Sequence, residues 1–120
     1  MEYTKVVESS HWRHLSQTLL DRLKNGKHTD CTFIIGCNKT EFKLNRFIFS
    51  LISPVFEAML YGNMRESKND SMIIIDDTDC NAFQCVVNFS YGNDPKITLN
   101  NVASLILLCD KYQIIQLLKI

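Results

Sequence analysis

Cys31-Thr-Phe-Ile-Ile35 and Thr40-Glu-Phe-Lys-Leu44 are two short runs rich in β-branched and aromatic residues, separated by the tetrapeptide Gly36-Cys-Asn-Lys39. Runs of this length joined by turn-forming residues predict a β-hairpin. Elsewhere most apolar residues recur every three or four positions, the period of a helix. A chain that switches from helical to strand period and back must pack a small sheet against several helices, an α+β arrangement.

Between Ser9 and Lys24, residues Trp12, Leu15, Leu19, Leu20 and Leu23 mark one face of an amphipathic helix, with Ser9 or Ser10 as cap and Gly26 as stop. Asn45 is placed to cap a helix through Ile52, and Ser53-Pro54 opens another that ends at Gly62. The polar stretch from Gly62 to Ser71 reads as an exposed connection, and Met72 to Ile75 as a buried third strand. Asp76 to Asp79 supplies a turn and cap for a helix from Cys80 to Tyr91, broken by Gly92-Asn-Asp-Pro95. Asn100 or Asn101 caps a helix to Lys111, and Ile114 to Ile120 begins another that stops while still apolar, so the natural chain is expected to continue. Residues 1–8 form an N-terminal extension in which Glu2 to Val7 could add an exchanged strand, and residues 9–120 form one domain.

At 120 residues, with 46% hydrophobic and 22% charged, the chain has the composition of a globular domain with one core. Thirteen basic residues balance thirteen acidic ones, so no net positive field gathers nucleic acid. No apolar run approaches the roughly 20 residues of a membrane span, and Met1 to Ser10 lacks a signal-peptide core. A cytoplasmic or nuclear location is expected. The five cysteines have no C-x-x-C pair and sit mostly in apolar stretches, as reduced thiols do.

Motifs for chemistry are incomplete, and no enzyme activity, cofactor or metal is expected. There is no G-x-S-x-G, and His11 and His14 have no partners to complete a zinc site. Asp77, Asp79 and Asn81 imitate the start of a calcium loop, but Ala82 stands at its glycine position and Asn88 at its final glutamate. They read as an acidic turn at a helix N-terminus. Gly26-Lys27 lacks the upstream glycine-rich turn of a phosphate loop, and Arg22, Lys24, Lys27 and His28 read as a solvated helix end.

Six blocks in register carry a family resemblance: Thr29-Asp30-Cys31-Thr-Phe-Ile-Ile35, Glu41-Phe42-Lys43-Leu44-Asn45-Arg46, Ser53-Pro54-Val55-Phe56, Met64-Arg65-Glu66-Ser67, Phe83, and Phe89-Ser90-Tyr91-Gly92. Together with Leu108-Cys109-Asp110-Lys111-Tyr112 they resemble the signature blocks of BTB/POZ domains, from about Ser9 to the C-terminus. The resemblance implies a helical cluster capped by a small three-stranded sheet, and a homodimer built largely by the first helix and the helix after the hairpin. Carried over by position, Trp12, Leu15, Leu19, Leu23 and Ile48 become dimer-interface candidates, and Asp30 with Arg46 a charged pair near the dimer groove. Asn45 stands where the family usually has histidine.

Met64-Arg65-Glu66 is similar to the apolar-x-Glu element by which ubiquitin-ligase members dock a cullin-3 scaffold. An exposed apolar anchor beside a carboxylate suits such docking. The resemblance therefore implies a cullin-3 adaptor whose substrate protein is recruited by regions outside this chain. Its rival is the dimerising, corepressor-recruiting domain of a transcription regulator. In either case the partners are proteins, with no direct contact to nucleic acid or membrane.

Overall fold

The computed structural model describes residues 2–62 and 71–118. Helix α1 (Glu2–Lys24) leads into a hairpin of β1 (Cys31–Ile35) and β2 (Thr40–Leu44), then α2 (Arg46–Ile52), α3 (Pro54–Tyr61) and β3 (Ser71–Ile75). Helices α4 (Cys80–Ser90), α5 (Val102–Tyr112) and α6 (Ile115–Leu118) follow. The α+β class and the expected element order are both present.

The sheet has the order β2-β1-β3. β1 is antiparallel to β2, with Cys31 opposite Leu44 and Ile35 opposite Thr40, and parallel to β3, with Phe33 opposite Ile73. The hairpin turn leaves β1 through Gly36 at φ 76°, whose N–H donates to the Ile75 carbonyl at 2.8 Å. A Cβ there would lie 3.2 Å from both Cys80 Sγ and the Thr78 carbonyl, so conformation and close quarters both favour glycine.

Among the described residues β1 is the only strand with neighbours on both sides, and its Cys31, Phe33 and Ile35 point into the core. Phe33 is the hub of a ring cluster, with centroids 5.3 Å from Phe49 on α2, 5.5 Å from Phe56 on α3 and 5.4 Å from Phe83 on α4. Edge-to-face and tilted contacts of this kind fix the helices against the inner face of the sheet. Tyr112 on α5 stacks on Phe56 at 4.7 Å and brings the C-terminal helices into the same core.

Several local expectations needed correction. Glu2 to Val7, read as a possible exchanged strand, are helical and continuous with α1, so Ser9 and Ser10 lie within the helix instead of capping it. No glycine or proline interrupts Glu2 to Lys24, and a helix satisfies its own main-chain bonds where a lone strand needs a partner. β3 is an edge strand, not a buried one: Ile73 and Ile75 face the core while Met72 and Ile74 are 58% and 69% exposed. Asn45 occupies the N-cap position of α2 without bonding its helix through its side chain. Helix α6 begins at Ile115, because Gln113 takes the left-handed conformation at φ 56° and separates it from α5.

The caps of α3 and α4 follow expectation. Ser53 Oγ accepts from Phe56 N–H at 3.0 Å with Pro54 in the first turn of α3, and the Asp79 carboxylate accepts from Ala82 N–H at 3.3 Å. Ser53 also donates to the Tyr112 carbonyl, tying α3 to the end of α5. Asp77, the neighbour in the acidic turn, pairs with Lys111 at 2.7 Å. Asn101, expected to cap α5, holds the N-cap position but, like Asn45, makes no side-chain bond to its helix: it is buried, its Oδ1 accepts from Thr98 N–H at 2.8 Å and its Nδ2 donates to Asn81 Oδ1 at 3.3 Å.

Candidate interaction surface

The face of α1 turned most fully inward is polar. Ser16 is buried and donates to the Tyr91 carbonyl at 2.7 Å, while Asn93 donates to Ser16 Oγ at 2.6 Å. The Tyr91 hydroxyl in turn donates to Asn45 Oδ1 at 2.9 Å and accepts from the Asn45 N–H at 3.0 Å. Asn45 Nδ2 donates to the His28 carbonyl at 2.6 Å. One tyrosine thus pins both α1 and the entrance to α2, which fixes how these two helices present their outer faces. Burial holds the Tyr91 phenol well above its usual range, in its neutral, hydrogen-bonding form.

With α1 rotated in this way, the apolar stripe divides. Leu19, Leu20 and Leu23 are half-buried against the protomer's own core, and Leu15 is 40% exposed. The Trp12 side chain lies outside the described residues. Ile48 on α2 is also half-buried against the core. The most exposed apolar side chains of α2 are Phe47 at 63% and Leu51 at 65%, one turn apart. Sequence reasoning missed both. The sequence carries part of the signal: Arg-Phe-Ile-Phe-Ser-Leu-Ile from Arg46 to Ile52 is apolar on more than one face and a short helix buries only one face in its own domain, but which face stays outside is not written there.

Asp30 and Arg46 are brought together. Asp30 Oδ1 accepts from the main-chain N–H of Arg46 at 2.8 Å, giving α2 the capping bond that Asn45 does not supply. The Arg46 side chain is 7% exposed, donates to the Leu60 carbonyl and lies 4.5 Å over the Tyr61 ring. The pair therefore ties the start of α2 to the hairpin on one side and to the end of α3 on the other. Met64, Arg65 and Glu66 lie outside the described residues. Among the described residues no three histidine, cysteine, aspartate or glutamate side chains converge, and no helix is long and apolar enough to cross a membrane.

The cysteines divide by environment. Burial, aided by Asp30, pushes the Cys31 thiol up to about 12, and burial beside Cys85 raises Cys109 to about 11. Only the neutral thiol fits these sites, so folding binds protons that the unfolded chain has released above about pH 9. Stability is therefore full below pH 9 and is lost as pH rises through the folded values near 11 and 12. Two measurements check this. Denaturant titrations should show a falling midpoint from pH 9 upward, and a thiol reagent at pH 8 should label Cys37 first, the exposed member of the set. Equal labelling rates for Cys31 and Cys37 would contradict the packing described.

Comparison with known proteins places this arrangement. The family model of the BTB/POZ domain matches residues 19–120. Human BTB/POZ domain-containing protein 9 is 31% identical over 96 residues, covering 80% of this chain and 15% of that protein. Kelch-like protein 40a of Danio rerio is 29% identical over 100 residues, covering 83% of this chain and 16% of that protein. The chain thus spans about a sixth of the length of these curated relatives. Among solved structures, the BTB domain of zebrafish PATZ1 superposes with a TM-score of 0.72 at 16% identity, covering 92% of this chain and 87% of that one, a likeness of fold. The domain has the BTB fold, a protein-interaction module. This chain belongs to the BTB/POZ domain family.

Proposed function

We propose that the domain homodimerises through the outer faces of α1 and α2 and serves as the substrate-adaptor part of a cullin-3 ubiquitin ligase. The observation that carries the dimer is the exposure of Leu15, Phe47 and Leu51 on two helices pinned to one tyrosine. Each such side chain gains about 1.5–3 kcal/mol on full burial, and a two-fold axis counts every contact twice. Leu19, Leu23 and Ile48, half-buried already, border this surface, with Trp12 on the same helix. Asp30 and Arg46 act here by holding α2 in place, because both anchor its first turn.

The adaptor role is supported by Met64-Arg65-Glu66, with its likeness to the apolar-x-Glu docking element, and by the Kelch-like proteins among the relatives. The chain itself performs no catalysis in this reading; it joins a scaffold to a substrate bound by regions outside it. The test is a pull-down of the cullin-3 N-terminal domain with the purified domain. Micromolar binding is expected, reduced about tenfold or more by Glu66→Lys, which sets a like charge against a basic partner group. No binding at that concentration, or binding indifferent to Glu66→Lys, removes the adaptor reading and leaves the dimer to be judged separately.

A further inference from the structure

An open cleft of about 850 Å³ runs between the C-terminal turns of α1, strand β2 and α4. Leu15, Phe47 and Leu51 do not line it, and of the residues in the dimer reading only Leu23, at the border of that surface, also reaches it. Its apolar floor includes Leu23 and Phe42, the latter half-buried with its ring 4.9 Å from Phe83. One wall is the free edge of β2, which pairs with β1 on its other side only, so β2 presents main-chain N–H and C=O groups that no strand in this sheet uses.

The remaining chemistry of the cleft suits a polypeptide main chain. Gln17, Gln84 and Asn88 line it with carboxamides, each offering both donors and acceptors. Gln84 and Asn88 share one bond at 3.1 Å and keep further capacity toward the cleft. Charge selects among peptides. Lys24, Lys43 and Lys96 stand at the rim against Glu41 and Asp94, and one Asp94 oxygen is already held by the main-chain N–H of Lys96 at 2.9 Å. The rim is therefore net positive and complements an acidic segment.

We propose that this cleft binds an extended segment of a partner protein, which adds to the sheet beside β2, turns apolar side chains toward Leu23 and Phe42, and sets carboxylates against the lysine rim. Main-chain pairing supplies affinity, while alternate side chains supply selectivity.

The test uses the purified domain and a displayed library of random octapeptides. The enriched peptides should alternate apolar with acidic residues. A synthetic copy of the strongest should lose binding when alternate main-chain amides are N-methylated, and should bind Lys43→Glu about tenfold more weakly, since an exposed attraction becomes a repulsion. Amide exchange should slow along β2 in the complex. Absence of enrichment, enrichment of basic or helix-patterned peptides, or indifference to both N-methylation and Lys43→Glu would overturn the proposal. Recovery of this chain's own sequence would make the occupant a second copy and overturn the assignment to a partner protein. None of these readouts depends on α2, so failure here leaves the dimer proposal standing, and the converse holds.

Discussion

Phe33→Ala should cost about 3–5 kcal/mol of folding stability, a large share of the 5–15 kcal/mol typical of a domain. Phe33 sits on the central strand β1, is fully buried, and touches rings from α2, α3 and α4 within 5.5 Å between centroids. Truncation removes the hub and leaves a cavity that three separate helices must collapse into, and each helix is held by other contacts. Phe56, stacked on Tyr112, has little freedom to follow. Phe33→Leu retains most of the apolar volume and should cost far less. Urea unfolding of both variants measures the difference. A loss under about 1 kcal/mol for Phe33→Ala would mean that the ring cluster is not what holds the helices to the sheet.

On the proposed dimer, Phe47→Asp combined with Leu51→Asp should shift the protein from twice 13.9 kDa to 13.9 kDa in light scattering at about 100 μM. Both side chains are about two-thirds exposed in the protomer, so carboxylates there meet water and the fold tolerates them. In a two-fold interface each substitution appears twice, placing four buried carboxylates where apolar contacts stood, and unpaired buried charge is among the costliest changes an interface can suffer. Unchanged urea stability in the monomeric range would show that the loss lies in association. A wild-type protein that is monomeric at this concentration, or a double variant that remains dimeric, would remove α2 from the interface.

Much of the fold was legible because local signals and tertiary packing agree. The hairpin is written in two β-branched runs and a turn with glycine at a left-handed, tightly packed position, and α3 and α4 in Ser53-Pro54 and Asp79. Where signals failed, a long-range contact had replaced a local one. Asn45 looks like a cap, but Tyr91 and the His28 carbonyl engage its side chain, and Asp30, across the open end of the hairpin, caps α2. Met72-Ile-Ile-Ile75 looks wholly buried, since an unbroken apolar run cannot say whether a strand is covered on one face or two.

The candidate surface divides along the same line. Periodicity marked Leu15, Leu19 and Leu23 as one stripe, and the structure gives most of it to the protomer itself. Phe47 and Leu51 became visible only once Phe49 was seen to occupy the core side of α2.

By itself the amino-acid sequence determined the family, the α+β class and the order of elements, because turn chemistry, caps and periodicity act over a few residues. Only the tertiary structure decided that β3 runs parallel at the sheet edge, that Tyr91 joins α1 to α2, and which apolar side chains remain uncovered. Those outcomes depend on contacts between residues dozens of positions apart, and no local pattern encodes the rotation of a helix about its own axis.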